Sequence, residues 1–203
     1  MRRVILFLSF IFLSHSCIAQ NYVFFLHNAF LEGNTTDAIH LSYGKYEYPE
    51  ILDAFRKAGL KVISEIRPAN SDVAEYAQKI VRQIDSLRKK GIPASHITVI
   101  GASKGGGIAM QVSTLLKEND VNFVFIACCS ESSSDGIRFH GNILSIYEKS
   151  DQMGSCEHLK KLSPNGIPHF KEIALSTGLG HGFQFKALSD WLAPCVSWAQ
   201  QNY

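Results

Sequence analysis

Gly101-Ala102-Ser103-Lys104-Gly105 stands between a short β-branched run, Ile97-Thr98-Val99-Ile100, and the segment Gly106-Gly107-Ile108-Ala109-Met110-Gln111-Val112. The run reads as a buried strand, and the segment reads as a helix packed closely at its start. Strand, G-x-S-x-G and helix in succession form a nucleophile-elbow pattern. So sharp a turn leaves no room for Cβ atoms beside the serine, which accounts for glycine at both flanks. The turn presents Oγ of Ser103 at the carboxyl end of a sheet. It also sets the backbone N–H of Lys104 at a helix N-terminus, where negative charge is stabilised. The motif is short, so its meaning depends on whether the chain also supplies an acid and a histidine.

Upstream, Tyr22-Val23-Phe24-Phe25-Leu26 is a continuous apolar run, as expected of a strand covered on both faces. His27-Asn28-Ala29-Phe30-Leu31 and a long loop to residue 48 follow it. Pro49 to Lys57 reads as a helix ended by Gly59, and Lys61 to Ile66 as the second strand. Ser71 is positioned to cap a long amphipathic helix, about Asp72 to Lys90. Its stripe is Val73, Tyr76, Ala77, Ile80, Ile84 and Leu87. Downstream of the elbow, strands are expected at Asn122–Ala127, Ile143–Tyr147 and Lys171–Leu175. A last helix is expected from about Phe183 to Gln200, with Pro194 inside it. Strands alternating with helices imply a parallel sheet with right-handed crossovers.

Asp151 comes shortly after the fifth strand, and His181 follows the sixth in Gly178-Leu179-Gly180-His181-Gly182. The chain order is therefore Ser103, Asp151, His181, each beyond the carboxyl end of a different strand. Acyl transfer needs those three groups: a nucleophile, a base within hydrogen-bond reach, and a carboxylate that fixes the base's tautomer. Glu148 is the alternative acid, but a residue at the end of a strand is aimed by the sheet, whereas Asp151 can fold back from the loop. His27 reads as structural. His40, His140, His158 and His169 read as surface loop histidines.

With these residues in place, the chain resembles a small α/β hydrolase over nearly all of its length after residue 19. It is similar to the reduced, cap-less form that lacks the first two strands. The resemblance implies a three-layer α/β fold, with a mostly parallel six-stranded sheet, helices on both faces, and the second strand at the edge outside the first. It also implies an oxyanion hole from the N–H of Lys104 and an N–H just after the first strand. The usual His-Gly there is His27-Asn28, and Ala29 is taken as the donor. His27, Asn28, Phe30, Tyr43 and Tyr46 are candidate walls of a substrate pocket, although the loop tyrosines serve equally as packing. The Lys104 side chain is expected at solvent or the pocket rim.

The chain has 203 residues, 46% hydrophobic and 19% charged, an ordinary globular balance. Arg2 and Arg3, the apolar run Val4 to Leu13, and small residues up to Ala19 read as a signal peptide cleaved before Gln20. The run is too short to span a bilayer stably. An alternative is a lipoprotein acylated at Cys17. Residues 20–203 then form a single domain, secreted or periplasmic. Losing Arg2 and Arg3 from the 20 basic residues leaves 18 against 18 acidic, so no basic stripe invites nucleic acid. Export permits disulfides. Among Cys128, Cys129, Cys156 and Cys195, the expected pair is Cys129–Cys156, whose loops follow successive strands. Neither H-E-x-x-H nor paired C-x-x-C occurs, and no metal or cofactor is expected.

The function so implied is hydrolysis of a small carboxylic ester through an acyl-enzyme. Peptidase and acyltransferase chemistry would use the same residues. A non-catalytic binding protein on this scaffold is the rival from another class.

Overall fold

The computed structural model describes residues 20–130, 136–163 and 165–203. The expected leader, Cys17 included, lies outside them. In chain order the strands are Tyr22–Leu26 (β1), Ile39–His40 (β2), Gly44–Lys45 (β3), Lys61–Ile63 (β4), Ile97–Ala102 (β5), Asn122–Ile126 (β6), Asn142–Glu148 (β7) and Phe170–Leu175 (β8). The α-helices are Tyr48–Lys57 (α1), Val73–Lys89 (α2), Lys104–Leu116 (α3), Glu157–Lys161 (α4) and Ser189–Ala199 (α5). Six strands form one sheet in the order β4-β1-β5-β6-β7-β8, and every neighbouring pair is parallel. The second strand of this sheet in chain order, β4, lies at the edge outside β1. β2 and β3 form a separate antiparallel hairpin.

Successive strand residues face opposite sides, and the core divides accordingly. Val23, Phe25, Ile100, Ala102, Val124 and Ile126 pack with α1 and α5 through Phe55, Trp191 and Trp198. Phe24, Leu26, Ile97, Val99, Phe123 and Phe125 pack with α2 and α3 through Ile80, Ile84, Ile108 and Val112. The result is three layers, helix–sheet–helix. Among the described residues no helix is long and apolar enough to cross a membrane.

Three local expectations change. Asp72, not Ser71, caps α2, its carboxylate accepting the Glu75 N–H at 2.9 Å. Ser71 instead donates its hydroxyl to the Pro68 carbonyl. β4 ends at Ile63 rather than Ile66, because side chains replace its ladder: the Ser64 hydroxyl donates to the Phe25 carbonyl, and the Arg67 N–H donates to the His27 ring at 2.9 Å. The last helix does not begin at Phe183. Gly180–Phe185 is a 3₁₀ turn, and a tight turn follows before α5, the Leu188 N–H donating to the Lys186 carbonyl at 2.8 Å. Hydrogen bonds to the segment beside β3 compete with the helix there. Glu47 donates its N–H to the Phe185 carbonyl at 2.8 Å and accepts the Ala187 N–H at 2.8 Å.

Cys129 and Cys156 are joined by a disulfide, and Cys128 and Cys195 are free and buried.

Candidate active site

The turn from β5 into α3 is built at close quarters. Ser103 adopts φ 52° and ψ −117°, a conformation that costs a non-glycine residue about 1–3 kcal/mol. A Cβ on Gly101 would stand 2.2 Å from the Gly105 carbonyl oxygen. One on Gly105 would stand 2.0 Å from the Leu26 carbonyl oxygen. Glycine at 105 therefore lets the start of α3 rest against the end of β1, where His27-Asn28-Ala29 begins. Lys104 and Ala29 each open a helical turn, and first-turn N–H groups have no intrahelical acceptor.

The three separated residues meet. His181 Nδ1 lies 2.7 Å from Asp151 Oδ2, and its Nε2 lies 3.0 Å from Ser103 Oγ. Asp151 is nearly buried, and His181 retains about a quarter of its side-chain exposure, 23%. Asp151 is itself held from within its loop: its N–H donates to the Glu148 carbonyl, and its Oδ1 accepts the Met153 N–H. Glu148, the alternative acid, faces elsewhere. It ends β7 fully buried, and its Oε2 accepts both the N–H and the hydroxyl of Thr177, each at 2.8 Å. Burial alone would raise its pKa, but hydrogen bonds, those from Thr177 first, outweigh burial and hold the carboxyl below its ordinary range. Glu148 thus pins the segment that leads to His181.

Two recesses flank the Ser103–His181 pair. One, of about 300 Å³, has Ser103, Met110, Cys128, Ile137 and Met153 in its walls and is mainly apolar. The other, of about 360 Å³, is lined by Tyr43, Ser150, Asp151, Gln152, Met153 and His181. Met153 belongs to both and divides them. Burial pushes the Cys128 thiol up, so it stays protonated in the apolar recess.

The expected pocket residues divide. Tyr43 does line a recess, 6.2 Å from His181 between ring centroids, and stacks on His40 at 4.5 Å. His40 is therefore a prop for Tyr43 and not a free surface histidine. Its Nδ1 also accepts the N–H groups of Ser42 and Tyr43. Tyr46 is completely buried against Phe185 and Tyr48, so it belongs to the core and lines neither recess. Phe30 packs on His40 and Phe185. His27 and Asn28 are buried beneath the turn.

Several neighbours left no signal in the sequence. Gln184 is buried, donates to His181 Nε2 at 3.1 Å, and accepts from Asn28 Nδ2 at 3.1 Å. Lys104 does line the apolar recess, but its ammonium is turned onto buried Glu32 at 2.6 Å rather than left to solvent. The other Glu32 oxygen takes the Arg67 Nε–H at 2.9 Å. Burial would raise the Glu32 carboxyl, but hydrogen bonds from Lys104 and then Arg67 hold it low. Burial, then the charge of Arg67, lowers His27 to about 4.

No protein-family model matches the sequence, and no curated protein is significantly similar to it. Solved structures are informative. SOBER1 of Arabidopsis thaliana superposes with a TM-score of 0.58 at 16% identity, over 90% of this chain and 99% of that one. A protein of Thermoplasma acidophilum described as a CIB-like hydrolase gives 0.54 at 15%, over 92% and 89%. A fungal esterase from Rhizomucor miehei gives 0.54 at 13%, over 91% and 77%. The fold is that of the α/β hydrolases. At such identities the likeness concerns the chain's path alone. Within an α/β-hydrolase fold, the carboxyl ends of β5, β7 and β8 are where this chain places Ser103, Asp151 and His181.

Proposed function

We propose that the chain is an exported serine hydrolase that cleaves small carboxylic esters. The observation that carries the proposal is the continuous relay from Asp151 Oδ2 to His181 Nδ1 and from His181 Nε2 to Ser103 Oγ, at 2.7 and 3.0 Å. Asp151 holds the proton on Nδ1, which leaves Nε2 free to accept. Ser103 Oγ attacks the ester carbonyl carbon while its proton passes to Nε2. The carbonyl oxygen becomes an oxyanion and takes hydrogen bonds from the N–H groups of Lys104 and Ala29 at the start of two helical turns. Collapse breaks the bond to the alcohol oxygen, which receives the proton from His181. A water, deprotonated by the same nitrogen, then releases the acid and restores Ser103.

The recesses support an assignment of sides. The leaving alcohol needs His181 as its proton donor, which favours the polar recess beside Tyr43 and Gln152. The acyl group then takes the apolar recess between Met110 and Met153. Export is supported by the leader-like residues 1–19 and by the Cys129–Cys156 disulfide, which persists in oxidising compartments.

The test is a fluorophosphonate probe on purified protein, with peptide mapping. Wild type is expected to label at Ser103 and to hydrolyse short chromogenic esters. Ser103→Ala is expected to lose labelling and about 10³-fold or more of kcat. Near wild-type turnover by the alanine variant would remove Ser103 as nucleophile. Absence of labelling in a folded wild type would favour the binding-protein alternative.

A further inference from the structure

Arg67 lies some forty residues from the turn it supports, in the segment that leaves the sheet after β4. It is 1% exposed. Its Nη2 donates to the carbonyl oxygens of both His27 and Asn28, the second at 3.2 Å. Its backbone N–H donates to His27 Nε2 at 2.9 Å, so that nitrogen carries no proton. The neutral ring then bears its hydrogen on Nδ1, which donates to the Asn28 carbonyl at 2.7 Å. The Asn28 oxygen is thus held by two donors from one side.

That carbonyl and the Ala29 N–H belong to the same planar peptide unit, in which C=O and N–H point in opposite directions. Fixing one fixes the other. A guanidinium at the oxygen also polarises the unit and strengthens its N–H as a donor. Glu32 extends the arrangement. One of its oxygens aligns Arg67 Nε, and the other holds the side chain of Lys104, whose own N–H is the second oxyanion donor. Arg67 Nη1 is buried without a hydrogen-bond partner among the described residues, and the guanidinium lies 5.5 Å from the centre of the Tyr76 ring.

We infer that Arg67, bridged through Glu32 to Lys104, is a positioning residue for the oxyanion hole, aiming the Ala29 N–H at the reacting carbonyl. The inference rests on Ser103 being the nucleophile. It makes the turn after β1 depend on a charged side chain where the usual glycine of that turn is Asn28.

The experiment uses the full mature chain and compares wild type, Arg67→Lys and Glu32→Gln. For each, kcat and KM are measured on a chromogenic ester. Affinity for a trifluoromethyl ketone, which forms a tetrahedral oxyanion on Ser103, is measured in parallel, with melting curves for folding. Lysine keeps the charge but cannot reach both carbonyls and Glu32 together. Arg67→Lys is expected to lose about tenfold to a hundredfold in kcat, less than loss of a whole donor, with KM within about threefold. Ketone affinity should fall by the same factor, because transition-state mimics report those contacts. A folded Arg67→Lys with unchanged kcat, or with reduced kcat but unchanged ketone affinity, overturns the inference. Should Arg67→Lys fail to fold, Glu32→Gln decides: about a three- to tenfold parallel loss of kcat and ketone affinity is expected, and unchanged values overturn it. A wild type that neither labels with fluorophosphonate nor cleaves esters removes the hydrolase reading first, and this inference with it.

Discussion

Two carboxylates near the end of β7 divide the work by geometry. Asp151 Oδ2 meets His181 directly, whereas Glu148 meets Thr177 and holds the approach to His181. Asp151→Asn should leave the fold intact but present the wrong hydrogen-bonding partner to Nδ1, cutting kcat by up to about 10⁴-fold. Glu148→Gln keeps an acceptor oxygen for Thr177 and should cost about tenfold or less in kcat. Measuring both at one pH, with melting curves, decides; a dead Glu148→Gln beside an active Asp151→Asn would reverse the assignment. His27 makes a separate prediction. Its proton affinity falls from 6.5 to about 4 on folding, so between those values the unfolded chain binds more protons. Stability should therefore be lost as pH drops from about 6.5 towards 4, by on the order of 3 kcal/mol. Glu32 and Glu148, both held low, act in the same direction at lower pH. Urea unfolding at pH 7 and pH 4.5 should show the loss in wild type and a shallower loss in His27→Gln; equal slopes would contradict it.

The contact between α3 and β1 is an element-scale feature with a sharp consequence. Gly105→Ala would set a Cβ 2.0 Å from the Leu26 carbonyl, a backbone atom with no rotamer to change. The helix would have to lift off the strand, at a cost of about 3 kcal/mol or more, and carry the Lys104 N–H away from Ala29. Gly107→Ala, where a Cβ meets nothing within 4 Å, is the control for stability and should fold as wild type does. A Gly105→Ala variant as stable as the control would show that the elbow does not depend on this approach. That glycine was legible from the motif alone; the neighbour that demands it, the Leu26 carbonyl of β1, was not. The strands were legible too: a run such as Phe24-Phe25-Leu26 announces burial on both faces. What is set by distant partners was not legible. Nothing near Arg67 tells that its guanidinium ends beneath residues 27 and 28. Lys104 reads as a surface lysine until Glu32, 72 positions away, is beside it. The start of α5 was misplaced in the same way, because Glu47 competes for the backbone of residues 185–187. Tyr46 read as either packing or pocket wall from its loop, and only the enclosure by Phe185 and Tyr48 decides for packing.

At the scale of the molecule, two loops that line the recesses beside Ser103 are tied by more than the parallel sheet. The loop after β6 carries Ala127 and Cys128 into one wall of the apolar recess, and the loop after β7 carries Asp151 and Met153. The Cys129–Cys156 disulfide and an isolated antiparallel bridge between Cys129 and Gly154 join them. The disulfide spans 27 positions, and a closed loop of that size stabilises a fold by about 3–4 kcal/mol in the chain-entropy account. The paired substitution Cys129→Ser and Cys156→Ser should lower unfolding free energy by about that amount. It should also reduce kcat, since Asp151 loses a fixed neighbour, while Cys195→Ser, in the opposite layer, should leave kcat unchanged. Under the proposed export the disulfide would form outside the cytoplasm, so the paired variant and wild type, both made without residues 1–19 in the cytoplasm, should be equally stable. Wild type recovered outside the cytoplasm should be the more stable of the two wild-type samples, begin at Gln20 by intact mass, and carry one disulfide. A mature chain with acylated Cys17, or equal stability of both wild-type samples with the bond absent, would count against this view of how the molecule is held together.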